Sequence, residues 1–355
     1  MPSISHSNLL LAFVRQDWDA AEALHATRPV DAGFADTCAR CDVHPQIHAL
    51  LEKHGRLELA GDAAETLARS RTKVRHDNML LIGHTEQALD ALLARSVRPL
   101  ALKGFDLIHR VYAFDERPLD DVDLLVPREQ LGEALAALES SGWRCPPEPA
   151  RTHYIRSSHH LPLDSPGPLS VGLELHWDLA QQTRFSVDVD GIRQRAVPID
   201  VAGRSILRCD DHDLIAHLLL HHLAHYFDTR LKWLMDMQRI TAQPGFDWNL
   251  VIERIRRWGA SVACGAALRH LHKLDPRLIP EEVRRALPLP ISRRPFVAPL
   301  RSSHPLELWR GTRRRRVQLY LAAVLLERWA SLPGWLIHRR RRDEKQADNP
   351  LDKNG

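Results

Sequence analysis

The hydrophobic positions in the first quarter of the chain recur at helical spacing. Apolar residues stand three or four positions apart in three segments, 7–28, 44–55 and 60–96, and this predicts a helix in each segment. Residues 1–97 are therefore expected to form an N-terminal helical region. In the third segment we expect five side chains to face the core: Met79, Leu80, Ile82, Leu89 and Leu92.

The pattern changes after residue 97, where short apolar runs replace the helical spacing. Runs at 99–103 and 120–126 predict strands, and the residues between them, 104–114, predict a helix. Apolar and polar side chains alternate around residues 171–178, which is typical of a strand with one polar face. Residues 98–208 are thus expected to form a separate core of strands and helices.

The helical pattern returns after residue 208, and we assign 209–342 to a C-terminal helical region. Within it, residues 317–337 are mostly apolar and lie between two runs of four arginines, 313–316 and 339–342. Glu327 interrupts the apolar segment and argues against a membrane-spanning helix. Packing against the protein body is the favoured interpretation. The alternative is peripheral membrane contact through an amphipathic helix on an anionic surface.

Charge and composition bear on two questions, whether the core binds nucleic acid and whether the tail is ordered. The 355 residues carry a net charge of +4, and the excess comes from the two arginine runs, without which the net charge would be negative. The core therefore gives no strong nucleic-acid signal. The tail, residues 343–355, is charged and has no apolar period, so it is predicted to be disordered.

The cysteines and the first residues indicate the cellular compartment. Five cysteines are an odd and sparse set, which does not describe a disulfide framework. No basic segment or cleavage site of a signal peptide precedes the first helix, so a cytoplasmic location is expected. Cys38, Cys41 and His44 have zinc-ligand spacing, but no second ligand pair follows at a suitable distance. We therefore interpret both thiols as reduced.

Two acidic residues within the predicted strand 120–126 carry the strongest chemical signal. Side chains alternate along a strand, so Asp121 and Asp123 point to the same face, about 7 Å apart along the strand. Their neighbours are apolar, and buried carboxylates need a partner or a metal ion. Mg²⁺, or Mn²⁺ in its place, prefers carboxylate oxygens and leaves positions open for substrate phosphates. The pair therefore predicts a metal site suited to nucleotidyl transfer.

A lysine and a glycine stand between the two predicted strands, at the start of a predicted helix. Glycine lets the backbone approach a ligand closely, and a helix N-terminus offers free N–H groups to phosphate. Lys103 adds a point charge beside Gly104. These two residues are therefore candidate phosphate ligands, and Arg117, in the loop before the acids, is a third.

A further carboxylate is expected because two metal ions need more ligands than two acids supply. Glu174 is the best candidate, since it shares the polar face of its alternating stretch with His176. His160 precedes this stretch, and His221 lies on a helix that we expect to border the cleft. We predict substrate contacts for His160, His176 and His221.

Three histidines also share one face of a later predicted helix. His217, His221 and His225 are four positions apart, a spacing that suits metal ligands. The glutamate of an H-E-x-x-H motif is absent, so a histidine-metal hydrolase is the weaker alternative. Packed or hydrogen-bonded imidazoles are the favoured interpretation.

In this order the motifs resemble the bacterial uncharacterised nucleotidyltransferase family, a branch of the DNA polymerase beta-like nucleotidyltransferase superfamily. The resemblance implies an α+β fold, in which a small mixed β-sheet nucleotidyltransferase core is flanked by the N-terminal and C-terminal helical regions. The matching residues are Leu102-Lys103-Gly104, Arg117-Pro118 with Asp121-Val122-Asp123-Leu124-Leu125-Val126, and Leu173-Glu174-Leu175-His176-Trp177.

The resemblance also implies roles for these residues. Asp121, Asp123 and Glu174 would hold Mg²⁺ and act in catalysis. In the wider superfamily the phosphate-binding turn has a second glycine or a serine after its first glycine. Here Phe105 follows Gly104, so the turn lacks that hydroxyl or that flexible residue.

Together these observations predict a Mg²⁺-dependent nucleotidyltransferase. It would move an NMP from an NTP, such as ATP, to an acceptor hydroxyl or phosphate and release pyrophosphate. The acceptor stays open among a small molecule, a saccharide, a peptide and a protein. The alternative that Phe105 permits is a catalytically degenerate protein that binds nucleotide and partner proteins.

Overall fold

The N-terminal region is helical, as its apolar spacing predicts. The computed structural model describes residues 4–27, 29–180, 184–225 and 230–293 of the chain. A 3₁₀ segment, Leu57–Ala63, precedes the longest helix. The helices of this region are α1 (Ile4–Val14), α2 (Trp18–Thr27), α3 (Gly33–Arg40), α4 (His44–Lys53) and α5 (Ala64–Ala94).

The single helix predicted over residues 7–28 is wrong, because the chain forms two helices there. Gln16 adopts a left-handed conformation with φ of 52° and ends α1. The Asp17 carboxylate then accepts a hydrogen bond of 3.2 Å from the backbone N–H of Ala20, in the first turn of α2. The left-handed Gln16 and the capping Asp17 thus divide the segment into two helices, although the spacing of apolar residues continues through it.

The inward face of α5 differs from the predicted face at two positions. Ile82, Leu89 and Leu92 are buried as predicted, but Met79 is 58% exposed and Leu80 is 37% exposed. Asn78 takes the inward position instead, and its amide donates to the carbonyl oxygens of Phe114 (2.9 Å) and Arg117 (3.0 Å). The hydrogen bonds of Asn78 to this loop therefore determine which face of α5 points inward at this turn.

The described residues of the core contain one mixed sheet of six strands, which confirms the α+β fold. Its spatial order is β3-β4-β2-β1-β6-β5. β2 pairs with β4 and β1 with β6 in parallel, whereas the other neighbours are antiparallel. The strands are β1 (Leu100–Ala101), β2 (Asp121–Leu125), β3 (His160–Asp164), β4 (Gly172–His176), β5 (Val197–Val201) and β6 (Arg204–Arg208).

The described helices in the same part of the chain are α6 (Lys103–Leu107), α7 (Leu131–Ser140), α8 (Ala150–Ser157) and α9 (Val189–Arg195). α6 is shorter than the helix predicted over residues 104–114, although hydrogen-bonded turns continue as far as Val111. A 3₁₀ turn, Arg128–Gln130, precedes α7. After the short first strand and the short α6, the chain returns to the middle of the sheet at β2, directly beside β1.

The described part of the C-terminal region is helical, as predicted. It contains α10 (Asp211–Ala224), α11 (Lys232–Thr241), α12 (Trp248–Arg257), α13 (Ser261–Leu274) and α14 (Glu281–Ala286), followed by a 3₁₀ turn, Ile291–Arg293. Among the helices of the described ranges, none combines the length and apolar content needed to cross a membrane. The apolar segment 317–337, both arginine runs and the tail 343–355 lie outside the described residues.

Two hydrophobic clusters hold these parts together. One cluster lies on the sheet and includes Val122, Leu173 and the side chain of Phe105. The other joins the N-terminal helices to the C-terminal helices, with Phe13 and Trp258 among its fully buried side chains. The two helical regions, although far apart in sequence, therefore share a core.

Candidate active site

The three predicted acids lie on adjacent parallel strands. In the register of β2 and β4, Asp123 pairs with Glu174 and Asp121 pairs with Gly172. Paired residues of neighbouring strands project to the same face of a sheet. Because Gly172 has no side chain, no bulky group stands opposite Asp121. Asp121, Asp123 and Glu174 all line one cleft.

The electrostatics of this cleft reflect crowded negative charge. Burial, and then the neighbouring Asp123 and Glu174, raise the pKa of Asp121 to about 7. Burial alone would also raise the pKa of Asp123, which is 4% exposed. Lys103 and His176 outweigh burial there and hold the pKa of Asp123 well below its usual range. The site therefore favours a bound cation.

Lys103 supplies positive charge to the acids in this structure. Its Nζ lies 2.6 Å from Oδ1 of Asp123, and both side chains are largely buried. The backbone of Lys103 has a φ of 47°, a left-handed conformation that costs most residues other than glycine about 1–2 kcal/mol. The predicted phosphate ligand is thus held against the central carboxylate, at the edge of the same cleft.

Gly104 and Arg117 also line the cleft, and they contact each other. A Cβ atom on Gly104 would lie 2.1 Å from Nη1 of Arg117, so any other residue here would force the turn or the guanidinium to shift. The guanidinium of Arg117 is buried and donates to both carboxylate oxygens of Asp236, at 2.9 and 2.8 Å. Tyr112 donates to the same carboxylate at 2.9 Å. Arg117 thus joins the loop before β2 to α11.

His176 lies beneath the acids and outside the cleft lining. It is 1% exposed, and its Nε2 lies 2.9 Å from Oδ1 of Asp123 and 3.2 Å from Oε2 of Glu174. Burial would lower the pKa of His176, but the two carboxylates raise it above its ordinary value. His160 is close by, with Nε2 3.6 Å from Oε1 of Glu174. Both histidines contact the predicted metal ligands.

The opposite wall of the cleft comes from the C-terminal helices. His221, the third predicted substrate contact, lines it together with His225, Arg230, Lys232 and Trp233. The Nζ of Lys232 lies 2.8 Å from the carboxylate of Asp120, and Lys232 also pairs with Asp42. An acidic wall on the sheet thus faces a wall rich in basic side chains. Sequence reasoning did not identify Arg230 and Lys232, because neither stands in a motif.

His217 and His221 on α10, with His225 just after it, do not form a close group of three ligands. The ring centroids of His221 and His225 are 4.4 Å apart, but those of His217 and His221 are 6.3 Å apart. Burial lowers the pKa of both imidazoles well below the ordinary value, which keeps them neutral. Among the described residues, groups of three potential ligands with close atoms involve only Asp123, Glu174, His176, His159 and His160. This arrangement gives no support to the histidine-metal hydrolase or to zinc at Cys38 and Cys41.

The structure explains how Phe105 is accommodated after Gly104, where the wider superfamily has glycine or serine. Phe105 is fully buried in the cluster on the sheet and packs edge-on against the ring of His109. It does not line the cleft, whereas Lys103 and Gly104 do. The bulky residue therefore occupies the core side of α6 and does not itself enter the cleft.

Comparison with known proteins gives the family. Among solved structures, the chain is similar to the solution structure of the antibiotic-resistance factor ANT(2'')-Ia, with 16% sequence identity and a TM-score of 0.32, over 62% of this chain and 95% of that chain. No curated protein matches the sequence. Residues 32–275, more than half of the chain and all of the motifs above, match the family described as uncharacterised nucleotidyltransferase. The protein therefore belongs to the uncharacterised nucleotidyltransferase family.

Proposed function

We propose that this protein transfers an NMP from a nucleoside triphosphate to an acceptor hydroxyl or phosphate and releases pyrophosphate. One observation carries the proposal. Asp121, Asp123 and Glu174 share one face of two parallel strands and line one cleft together with the backbone turn at Gly104. Folding alone gains little from three neighbouring carboxylates, and a site for divalent cations and phosphates explains them.

The donor atoms in the cleft fit Mg²⁺, with Mn²⁺ as the substitute. They are carboxylate oxygens, and the raised pKa of Asp121 reflects an excess of negative charge that a divalent cation would balance. We assign Asp121, Asp123 and Glu174 as the residues that hold the metal. When bound, the metal would stabilise negative charge on the transferred phosphoryl group and on the attacking and leaving oxygens.

The side chains around the acids have separate tasks in this proposal. His176 orients Asp123 and Glu174 through its Nε2 contacts to both. Lys103 lies against Asp123 and would contact a phosphate of a nucleotide whose metal ion is held by that carboxylate. Arg230 and Lys232, both paired with Asp120, bring positive charge to the opposite wall, and the triphosphate would lie between the two walls. Arg117 positions the Gly104 turn and does not bind phosphate itself in this proposal, because its guanidinium is paired with Asp236 and packs on that turn.

The test is titration calorimetry with each of the four NTPs, with and without Mg²⁺. Wild type is compared with the double variant Asp121→Asn/Asp123→Asn and with Asp62→Asn, a control at an exposed aspartate far from the acids in sequence. We expect one NTP to bind only with Mg²⁺, equally in wild type and the control, and at least about 100-fold more weakly in the double variant. Wild type that binds no NTP under any condition would contradict the proposal.

Release of pyrophosphate then separates an enzyme from a binding protein. Wild type is incubated with the bound NTP and Mg²⁺ in the presence of candidate acceptors from each class: small molecules, saccharides, peptides and proteins. Acceptor-dependent pyrophosphate that is absent in the double variant supports transfer. Tight Mg²⁺-dependent binding without pyrophosphate from any acceptor would favour the degenerate nucleotide-binding alternative.

A further inference from the structure

Three histidines gather at one end of the sheet, next to the carboxylates. His160 opens β3 and lies directly opposite His176, the last residue of β4, in the antiparallel register. His159 precedes β3, and its carbonyl oxygen accepts hydrogen bonds from the backbone N–H groups of Trp177 (3.1 Å) and Asp178 (3.3 Å). The pairing of β3 with β4 therefore fixes the backbone that carries the three histidines.

The imidazoles are close enough to share one ion. One ligand nitrogen from each of His159, His160 and His176 lies within 4.8 Å of the other two. The ring centroids of His159 and His160 are 4.6 Å apart, and those of His160 and His176 are 5.0 Å apart. His176 is buried while the other two are half-buried, so an ion has a route from solvent.

The hydrogen bonds of His176 suit a metal ligand. Its Nε2 contacts the carboxylates of Asp123 and Glu174, whereas its Nδ1 is buried and has no hydrogen-bond partner within the described ranges. Histidines that ligate a metal commonly give their second nitrogen to a carboxylate, which fixes the ring and raises its basicity. Leaving a buried ring nitrogen without a partner is unfavourable unless another group satisfies it.

We propose that His159, His160 and His176 form a second cation site that takes a borderline transition-metal ion of the Zn²⁺ class. Three imidazoles are a ligand set for such ions, and Mg²⁺ disfavours them relative to oxygen. Glu174 lies beside the group, 3.6 Å from Nε2 of His160. This site differs in chemistry from the oxygen site that we assign to Mg²⁺, and it does not depend on nucleotidyl transfer. His159 and His160 are not among the ligands that we assign to Mg²⁺, and Asp121 is not among the three imidazole ligands of the histidine site.

Cobalt absorption tests the proposal directly. Protein without a polyhistidine tag is stripped of metal and titrated with Co²⁺, and the visible absorption of nitrogen-ligated Co²⁺ is followed, then displaced with Zn²⁺. We expect one equivalent of Co²⁺, displaced by Zn²⁺ and not by excess Mg²⁺. The double variant His159→Gln/His160→Gln is expected to bind more than about tenfold more weakly. His76→Gln, at an exposed histidine on α5, is the matched control and is expected to bind as wild type does.

A second variant separates this site from the proposed function. Asp121→Asn is expected to lose Mg²⁺-dependent NTP binding and to keep the cobalt spectrum. Wild type that takes up no Co²⁺ or Zn²⁺, or a folded double variant that takes up as much as wild type, would overturn the histidine site and leave the carboxylate site standing. If the double variant does not fold, NMR of wild type replaces it. Co²⁺ must then shift the imidazole resonances of three histidines, and unchanged imidazole resonances would overturn the proposal.

Discussion

The Nζ atom of Lys103 lies 2.6 Å from Oδ1 of Asp123, so the central acid of the cleft already has a cationic partner. Removing that partner leaves the buried Asp123 beside other acids with His176 as its remaining partner, which costs up to about 3–5 kcal/mol of unfolding free energy. We expect Lys103→Ala to lower stability by this amount in EDTA and to regain part of it in Mg²⁺. Urea denaturation in the two buffers measures the difference, and a variant with wild-type stability in EDTA would contradict the role of the ion pair.

The backbone at Lys103 allows a sharper comparison. Lys103→Gly removes the same ammonium as Lys103→Ala but accepts a φ of 47° without strain. The glycine variant is therefore expected to be about 1 kcal/mol more stable than the alanine variant, from the cost of the left-handed region. Equal stability of the two variants in urea would show that the strain is relieved in another way.

Asp236 is expected to be one of the most sensitive positions outside the cleft. Asp236→Asn leaves Arg117 charged and buried with a neutral partner, so the unfolding free energy should fall by about 3–5 kcal/mol. Tyr112→Phe is the matched control, because it removes only one hydrogen bond to the same carboxylate and should cost about 1 kcal/mol. Chemical denaturation ranks the two variants, and the reverse order would refute the pairing.

Gly104→Ala tests the close contact between the turn and Arg117. The new Cβ would lie 2.1 Å from Nη1 of Arg117 and 2.8 Å from Cδ2 of Leu119, so the turn or the guanidinium must shift. We expect lower stability and NTP binding at least about tenfold weaker. Gly83→Ala is the control, since Gly83 lies within α5 with open space around it and alanine there should add up to about 1 kcal/mol. Calorimetry and thermal unfolding report both effects.

We expect two buried histidines to lower the unfolding free energy at mildly acidic pH. His222 and His270 share a hydrogen bond of 2.9 Å. Burial lowers the pKa of His270 to about 3 and that of His222 well below its ordinary value. Below pH 6.5 the unfolded chain therefore takes up protons that the folded protein does not, and each histidine reduces the unfolding free energy by about 1.4 kcal/mol per pH unit.

Urea denaturation between pH 7.5 and 5 measures this loss. The variant His222→Leu/His270→Met removes both groups, so its stability should fall less steeply than that of wild type, by the equivalent of two protons. An unchanged slope in the variant would mean that other groups carry the pH dependence.

Local sequence patterns were sufficient to predict much of the secondary structure and the positions of the three acids. The strand with Asp121 and Asp123 could be predicted because alternation is a property of adjacent residues, and β2 covers nearly the predicted span. The same applies to Glu174 in β4. Helix existence was also predictable from apolar spacing, whereas the break at Gln16 depends on one left-handed residue that no period shows.

The remaining features depend on contacts between distant positions. Arg117 and Asp236 are 119 residues apart, and only the packing of α11 against the loop before β2 joins them. Met79 is exposed because Asn78 binds the carbonyl oxygens of that loop. His159 and His160 could be recognised in sequence as a pair, but the third imidazole comes from another strand, whose register places it opposite.

The pairing of Arg117 with Asp236 also restricts how this protein can diverge. A change at either position alone buries a charge without its counter-ion, so the two positions are expected to change together or to pass through a destabilised state. An exchange of the helices after residue 208 between relatives would carry the same penalty wherever only one member of the pair is kept. The sheet that bears the acids and the helix that bears Asp236 should therefore be inherited as one unit.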